Sequence, residues 1–366
     1  MPQRFLFGPV EYLAAELRAG QTTGVLILAS SRRHLDALEA ALVGFAVEIF
    51  DGARVHVPAE VVAAAEARLV ASGANTIVAI GGGSPIGLGK ALRLARPELH
   101  FVAVPTTYAG SERTSIYGIT SGREKQTGRD PRVKPDLVVY DPELTVDLPI
   151  GLTTQSLFNA IAHVASVMST SSLPATPDGG APLDRATAAR DARTLVDLVE
   201  TLIASPRDRD ARIDAQAGAS DCARFLDLGT PGVQHAFAHL LGGAFGVDHA
   251  ALHSILLPRF LAHATDVRDE IARSPRNKGI TSRSPEQALT DPAQMWDRGD
   301  TDPAVPRGPE VEAAPPIAAL EEHLLALLAR AGAPTTLRQL GITAAALDEV
   351  RATRPELPGD IARAAL

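Results

Sequence analysis

The run ANTIVAI at residues 74–80 breaks abruptly into GGGSPIGLGK at 81–90, and that junction constrains the chain more than any other stretch. A short apolar run bounded by glycines reads as a strand buried on both faces, and the residues from about Pro85 to Ala95 read as a helix. A glycine-rich turn between the two leaves backbone N–H groups and the positive end of a helix dipole bare, where a phosphate can sit. Side chains at Gly81, Gly82 and Gly83 would block that approach. The spacing is neither GxGxxG nor GxxxxGKS/T, so neither common nucleotide fingerprint applies.

The surrounding pattern supplies the fold. TGVLILAS (23–30), AVEIFDGA (46–53) and HFVAVPTT (100–107) read as further strands, while RRHLDALEAALVG (32–44) and VPAEVVAAAEARLVASG (57–73) read as helices. The second helix has its proline at the start and its glycine at the end, as helix termini prefer. Short buried strands separated by amphipathic helices predict a parallel sheet with helices on its faces. The segment VPTTYAGSERTSIYGIT (104–120) sets the hydroxyls of Thr106, Thr107 and Ser111 at the end of the next strand. Both loops are expected at one sheet edge, where open α/β sheets take their ligands.

After Pro149 the strand signals stop and Ala-, Leu- and His-rich helical segments take over. The expected organisation is an α/β domain over 1–149 and an all-helical domain over 150–366. Within the latter, 274–312 is polar and rich in Pro, Ser, Arg and Asp, and is read as a flexible insert. A chain of 366 residues with 45% hydrophobic content can fill two such cores. Its formal charge of −8 argues against nucleic-acid or membrane partners, which call for clustered cations, and favours a small-molecule ligand. A single cysteine, Cys222, allows no internal disulfide. With no apolar leader near the start, the expected location is the cytoplasm.

The histidines form a second constellation. Four of the chain's ten lie between 235 and 253: His235 and His239 share a helix face, and His249 and His253 repeat that spacing. His163 follows Asn159 at the same interval.

The segments AIGGGSPIGLGKA, VPTTYAGSE and KQTGRDPRVKPDLVVYDPEL (125–144), with FNAIAHV (158–164) and HAFAHLLGGAFGVDHAALHSILLP (235–258), resemble the maleylacetate reductase branch of the iron-containing alcohol dehydrogenase superfamily. The resemblance runs from about residue 5 to 262. It implies an N-terminal Rossmann-like dinucleotide-binding domain followed by an all-α domain, the architecture shared with dehydroquinate synthase-like proteins, and a homodimer. It also implies NADH or NADPH with its pyrophosphate on Gly82, Gly83 and Ser84, its nicotinamide side lined by Thr106, Thr107 and Ser111, and its ribose reached by Lys125. After the strand TGVLILAS the sequence Ser30-Ser31-Arg32-Arg33 offers no carboxylate, so a 2′-phosphate would be tolerated.

Metal-dependent members hold their ion at the positions of residues 159, 163, 235 and 249, with an aspartate at the first. This chain carries Asn159, so a catalytic metal is not expected; were one bound, His163, His235 and His249 would hold it. Hydride addition to maleylacetate, an alkene conjugated to a ketone, develops charge on an enolate oxygen that hydrogen-bond donors can stabilise. His239, His235 and His249 are the candidate donors, His239 first, with Asn159, His163 and His253 beside the substrate and His253 expected to matter less. Arg113 and Arg129 are candidate partners for the substrate carboxylates. Two other readings stand at this level: a relative acting on another enone or carbonyl, even without net redox change, and a catalytically silent scaffold.

Overall fold

The computed structural model describes residues 3–122, 124–170, 184–277, 311–312, 316–352 and 359–366. The chain divides into two compact units, one running up to Asp147 and one from Leu148 onward.

The first unit is built on a six-stranded parallel sheet. Its strands are β1 (Arg4–Phe7), β2 (Gly24–Leu28), β3 (Ala46–Phe50), β4 (Thr76–Gly81), β5 (His100–Pro105) and, after the hairpin β6 (Ile116–Ser121) and β7 (Glu124–Arg129), β8 (Leu137–Tyr140). The order across the sheet is β1-β8-β5-β4-β2-β3. Consecutive side chains of one strand serve opposite faces. Val25 and Ile27, Val78 and Ile80, and Val102 and Val104 pack with α1 (Leu13–Ala19) and α2 (Leu35–Ala41). Leu26 and Leu28, Ile77 and Ala79, and Phe101 and Ala103 pack with α3 (Ala59–Ser72) and α4 (Gly83–Ala95). A sheet covered on both faces needs the unbroken apolar strands seen in the sequence.

Two departures have clear causes. The helix expected over 32–44 begins only at Leu35, because His34 at its N-cap adopts a left-handed conformation (φ 66°) and leaves Arg32 and Arg33 exposed in the preceding turn. The hairpin β6–β7 is antiparallel, with Ile116 opposite Arg129, and lies outside the main sheet.

The second unit is a helical assembly: α5 (Ile150–Met168), α6 (Arg185–Ala204), α7 (Arg209–Leu228), α8 (Val233–Phe245), α9 (His249–His263), α10 (Thr265–Arg273), α11 (Leu320–Arg330), α12 (Ala344–Ala352) and α13 (Gly359–Ala364). Helix α5 is buried from Thr153 to Met168, so it forms the centre against which α6, α7, α8 and α9 pack. Arg212, fully buried on α7, fixes the start of α5 by donating to Thr153 Oγ1 (3.0 Å) and to the carbonyl of Leu148 (3.3 Å). The unit is not purely helical: β9 (Arg276–Asn277) pairs antiparallel with β10 (Val311–Glu312). These pairs bracket most of the polar segment read as an insert, whose residues 278–310 lie outside the described ones. No described helix is long and apolar enough to cross a membrane.

Candidate active site

In the first unit the glycine turn caps β4. Gly81 has φ 138°, and a Cβ there would stand 2.9 Å from Pro85, so only glycine makes this exit from the strand. Gly82 is the N-cap of α4 and offers no side chain to the helix end, and the first turn carries no acidic residue. The early N–H groups of such a helix lack intrahelical partners and present positive charge outward. A Cβ on the exposed Gly83 would meet no protein atom within 4 Å, so the approach to that helix end is open. Thr107 lies against Gly82, its Oγ1 3.2 Å from where a Cβ would stand, and Thr106 N donates to the Gly81 carbonyl at 2.9 Å. Gly82, Gly83, Ser84, Thr106 and Thr107 are therefore brought to one sheet edge, with Ser111 opening the short 3₁₀ turn that follows. This open helix end and its flanking hydroxyls fit a dinucleotide pyrophosphate.

Lys125 sits on β7 opposite Thr120, and its side chain is not among the described ones. Arg113 is engaged within its own unit: its guanidinium stacks on Phe5 at 4.2 Å and donates to Gln3 Oε1 at 3.1 Å. That placement argues against a substrate carboxylate as its partner. Arg129 is exposed at the end of β7. A group the sequence reading passed over is Lys90, buried on α4, which donates to Thr114 Oγ1 (3.0 Å) and the Ile116 carbonyl (2.8 Å) and so ties the phosphate-facing helix to the hairpin. Its signal was a lysine flanked by Gly89 and Ala91 in the middle of an otherwise apolar stretch of the helix.

In the second unit the five singled-out histidines converge. The loop between α8 and α9 is only Gly246-Val247-Asp248; Gly246 is left-handed (φ 66°) and Asp248 caps α9 through Ala251 N at 3.1 Å. That short return sets the two i,i+4 pairs side by side. Ring centroids are 4.5 Å apart for His235–His239, 4.1 Å for His239–His249, 5.3 Å for His249–His253 and 4.9 Å for His235–His253. From α5, His163 lies 5.4 Å from His235 and 5.6 Å from His253. The cluster is graded: His253 and His163 are buried, His235 is 9% exposed, His249 is half-buried and His239 is exposed. His239 Nε2 and His235 Nε2 are 2.8 Å apart, one donating to the other.

His253, expected to matter less, packs against His163, His235 and His249. One ring nitrogen from each of His163, His235 and His253 lies within 4.8 Å of the others, so His253 and not His249 completes the closest trio. Among the described residues no carboxylate joins that trio. Asn159, one helical turn before His163, is buried, and its Oδ1 accepts no hydrogen bond. Gln234 Nε2 donates to His253 Nδ1 at 3.1 Å, which puts the His253 proton on Nε2 and removes that lone pair from ligation. In that tautomer His253 brings no lone pair to the trio, which leaves the imidazoles of His163 and His235 to ligate a cation.

Burial drives the His163 imidazole down to about 3, the charge on His239 adding to the effect, and burial likewise pushes His253 well below the ordinary value of 6.5. Both are neutral in the folded protein at neutral pH. The unfolded chain takes up protons below about pH 6.5 that the folded state refuses, so stability is full above that value and falls as pH drops toward 3. Each such group steepens the dependence by about 1.4 kcal/mol per pH unit. Denaturant unfolding of His163→Gln across this window should show a slope reduced by about that amount; an unchanged slope would mean His163 is already charged in the fold.

Comparison with known proteins identifies the family. Residues 2–142 match the family model for iron-containing alcohol dehydrogenase. The chain is 44% identical over 275 residues to maleylacetate reductase of Burkholderia cepacia, covering 73% of this chain and 75% of that one. The chain belongs to the maleylacetate reductase branch of the iron-containing alcohol dehydrogenases. The Pseudomonas knackmussii maleylacetate reductase is 41% identical over 266 residues, 71% of this chain and 73% of its own. The crystal structure of maleylacetate reductase from Agrobacterium tumefaciens superposes with a TM-score of 0.77 at 28% identity, covering 100% of this chain and 96% of that one. As a member of this branch the protein is an oxidoreductase.

Proposed function

We propose that the protein reduces maleylacetate, or a closely similar anionic enone, with NADH or NADPH. The observation that carries this reading is the graded imidazole cluster: exposed His239 is hydrogen-bonded to His235, with neutral, buried His163 and His253 behind them. The identities to maleylacetate reductases support the substrate class. Bound NAD(P)H would supply the hydride. The open end of α4 would hold the pyrophosphate through backbone N–H groups, with Thr107 beside Gly82 limiting its position.

In the second unit the work is polar stabilisation. As hydride adds to the conjugated alkene, negative charge gathers on the former ketone oxygen, and a well-placed donor there lowers the barrier by roughly 3 kcal/mol. His239 is the donor with access to substrate. When protonated, His239 donates Nε2–H to His235 Nε2 and its Nδ1–H serves the enolate oxygen; transfer of that proton to the carbon leaves a neutral imidazole. The exposed ring regains a proton from water. Asn159 and the protonated Nε2 of His253 keep the site neutral, so no metal is needed to polarise an alkene that is already conjugated.

Ser30 and Ser31 are exposed beyond β2, and Arg32 lies 3.8 Å from Asp51, an exposed pair that a 2′-phosphate could rearrange. Either dinucleotide is therefore accommodated. The branch carries with it the expectation of a cytoplasmic homodimer.

The test is to mix the purified protein with NADH or NADPH and maleylacetate and follow loss of the nicotinamide absorbance. Turnover is expected before and after exhaustive chelation, with far less than one iron or zinc per chain by elemental analysis. Stoichiometric metal, whose removal abolishes turnover and whose return restores it, would overturn the metal-free reading.

A further inference from the structure

The bond between Gln234 and His253 does more than fill the core. Gln234 is 1% exposed and His253 is fully buried, so neither is open to bulk solvent. The Gln234 amide nitrogen can only donate, and its partner His253 Nδ1 must therefore accept. The opposite ends of both side chains, Gln234 Oε1 and His253 Nε2, make no hydrogen bond among the described residues. A half turn of the amide would bring Oε1 to Nδ1, move the His253 proton there and release an Nε2 lone pair. The same trio of rings, His163, His235 and His253, would then offer ligating nitrogens within 4.8 Å of one another.

We infer that Gln234 is a positioning residue that fixes the His253 tautomer and thereby keeps the buried histidine trio a hydrogen-bonding group instead of a cation site. The inference rests on the reductase reading only where it concerns turnover. Metal-ligating histidines characteristically donate their second N–H to a carboxylate or carbonyl, which frees the other nitrogen and raises its basicity. Gln234 in its present orientation does the reverse. Gln234→Glu would supply an obligate acceptor when ionised, and with it the negative charge that Asn159 does not provide. The departure from a metal centre would thus lie at a residue beside the ligand positions as well as at Asn159.

The experiment uses the full-length chain labelled with ¹⁵N-histidine. In the wild type, long-range ¹H–¹⁵N correlation should show His253 with an unprotonated Nδ1 and a protonated Nε2, the signals assigned by their loss in His253→Gln. Gln234→Glu, at about pH 8 so that burial does not leave its carboxyl protonated, should reverse that pattern. It should also bind Co²⁺, read by its visible absorption, 10- to 100-fold more tightly than wild type. Gln234→Leu, with no partner for Nδ1, should lower kcat about tenfold or more with little change in KM, while circular dichroism and thermal midpoint report folding. A wild-type His253 protonated on Nδ1 overturns the inference, and so does a folded Gln234→Glu with unchanged Co²⁺ affinity. The spectroscopic arms require no substrate. A protein that shows the expected tautomers but leaves maleylacetate untouched would refute the reductase reading and not this one.

Discussion

Gly83→Val is expected to weaken NADH and NADPH binding by roughly a hundredfold, about 2.7 kcal/mol, while the protein stays folded. The three glycines of the turn are not equivalent. At Gly81 the backbone has φ 138° and a Cβ would stand 2.9 Å from the Pro85 ring, so a substitution there strains the strand exit itself. At Gly82 the added atom would press on Thr107 at 3.2 Å, mixing a local clash with any effect on ligand. At Gly83 it meets no protein atom within 4 Å, and the residue already lies in α4. A branched side chain at that position fills the space a phosphate needs and separates it from charge-assisted N–H donors worth about 1.5–3 kcal/mol each. Fluorescence titration measures the affinity and thermal unfolding the stability. Unchanged affinity in a stable variant would refute the assignment of this helix end to the pyrophosphate.

The contrast among those glycines shows what the sequence could and could not disclose. The GGGS turn after an apolar run was legible because strand, turn and helix are contiguous. Central strands β2, β4 and β5 were legible because burial on both faces demands continuous apolar side chains. Edge strand β1 and its neighbour β8, four residues each, are too short for periodicity to resolve. Hairpin β6–β7 is largely polar, and its register follows from cross-strand pairing rather than from any alternating pattern. The i,i+4 histidine pairs were likewise local facts. Which rings meet across α5, α8 and α9 is a tertiary fact that spacing does not disclose: His253, outside the family's ligand positions, is the fully buried member that reaches His163, His235 and His249. Arg113 stands two residues after Ser111, yet the chain directs its guanidinium onto Phe5, 108 positions earlier in sequence, where cation–π contact and a hydrogen bond to Gln3 hold it. Gln234 had no sequence signal, since a glutamine beside a histidine carries none until its partner on the next helix is known.

His239→Ala should lower kcat by roughly 10² to 10³, the usual loss for a donor that serves a developing oxyanion, while leaving dinucleotide affinity nearly intact. The grading of the cluster gives this variant its value. Removing His163 or His253 would open a cavity in the core and leave buried polar atoms unpartnered, so a loss of activity there could follow from misfolding. His239 is exposed and hydrogen-bonded to His235, so truncation should cost little stability. His249, whose ring lies 4.1 Å from that of His239 and which is more exposed than His235, is a neighbour placed to substitute in part. The residual rate of His239→Ala should therefore fall further in the double variant with His249→Ala. Added imidazole should recover part of the activity of the single variant, because the lost ring opens to solvent. A folded His239→Ala protein that turns over maleylacetate at the parental rate would remove the donor role and leave His239 as the outer contact of a buried histidine cluster.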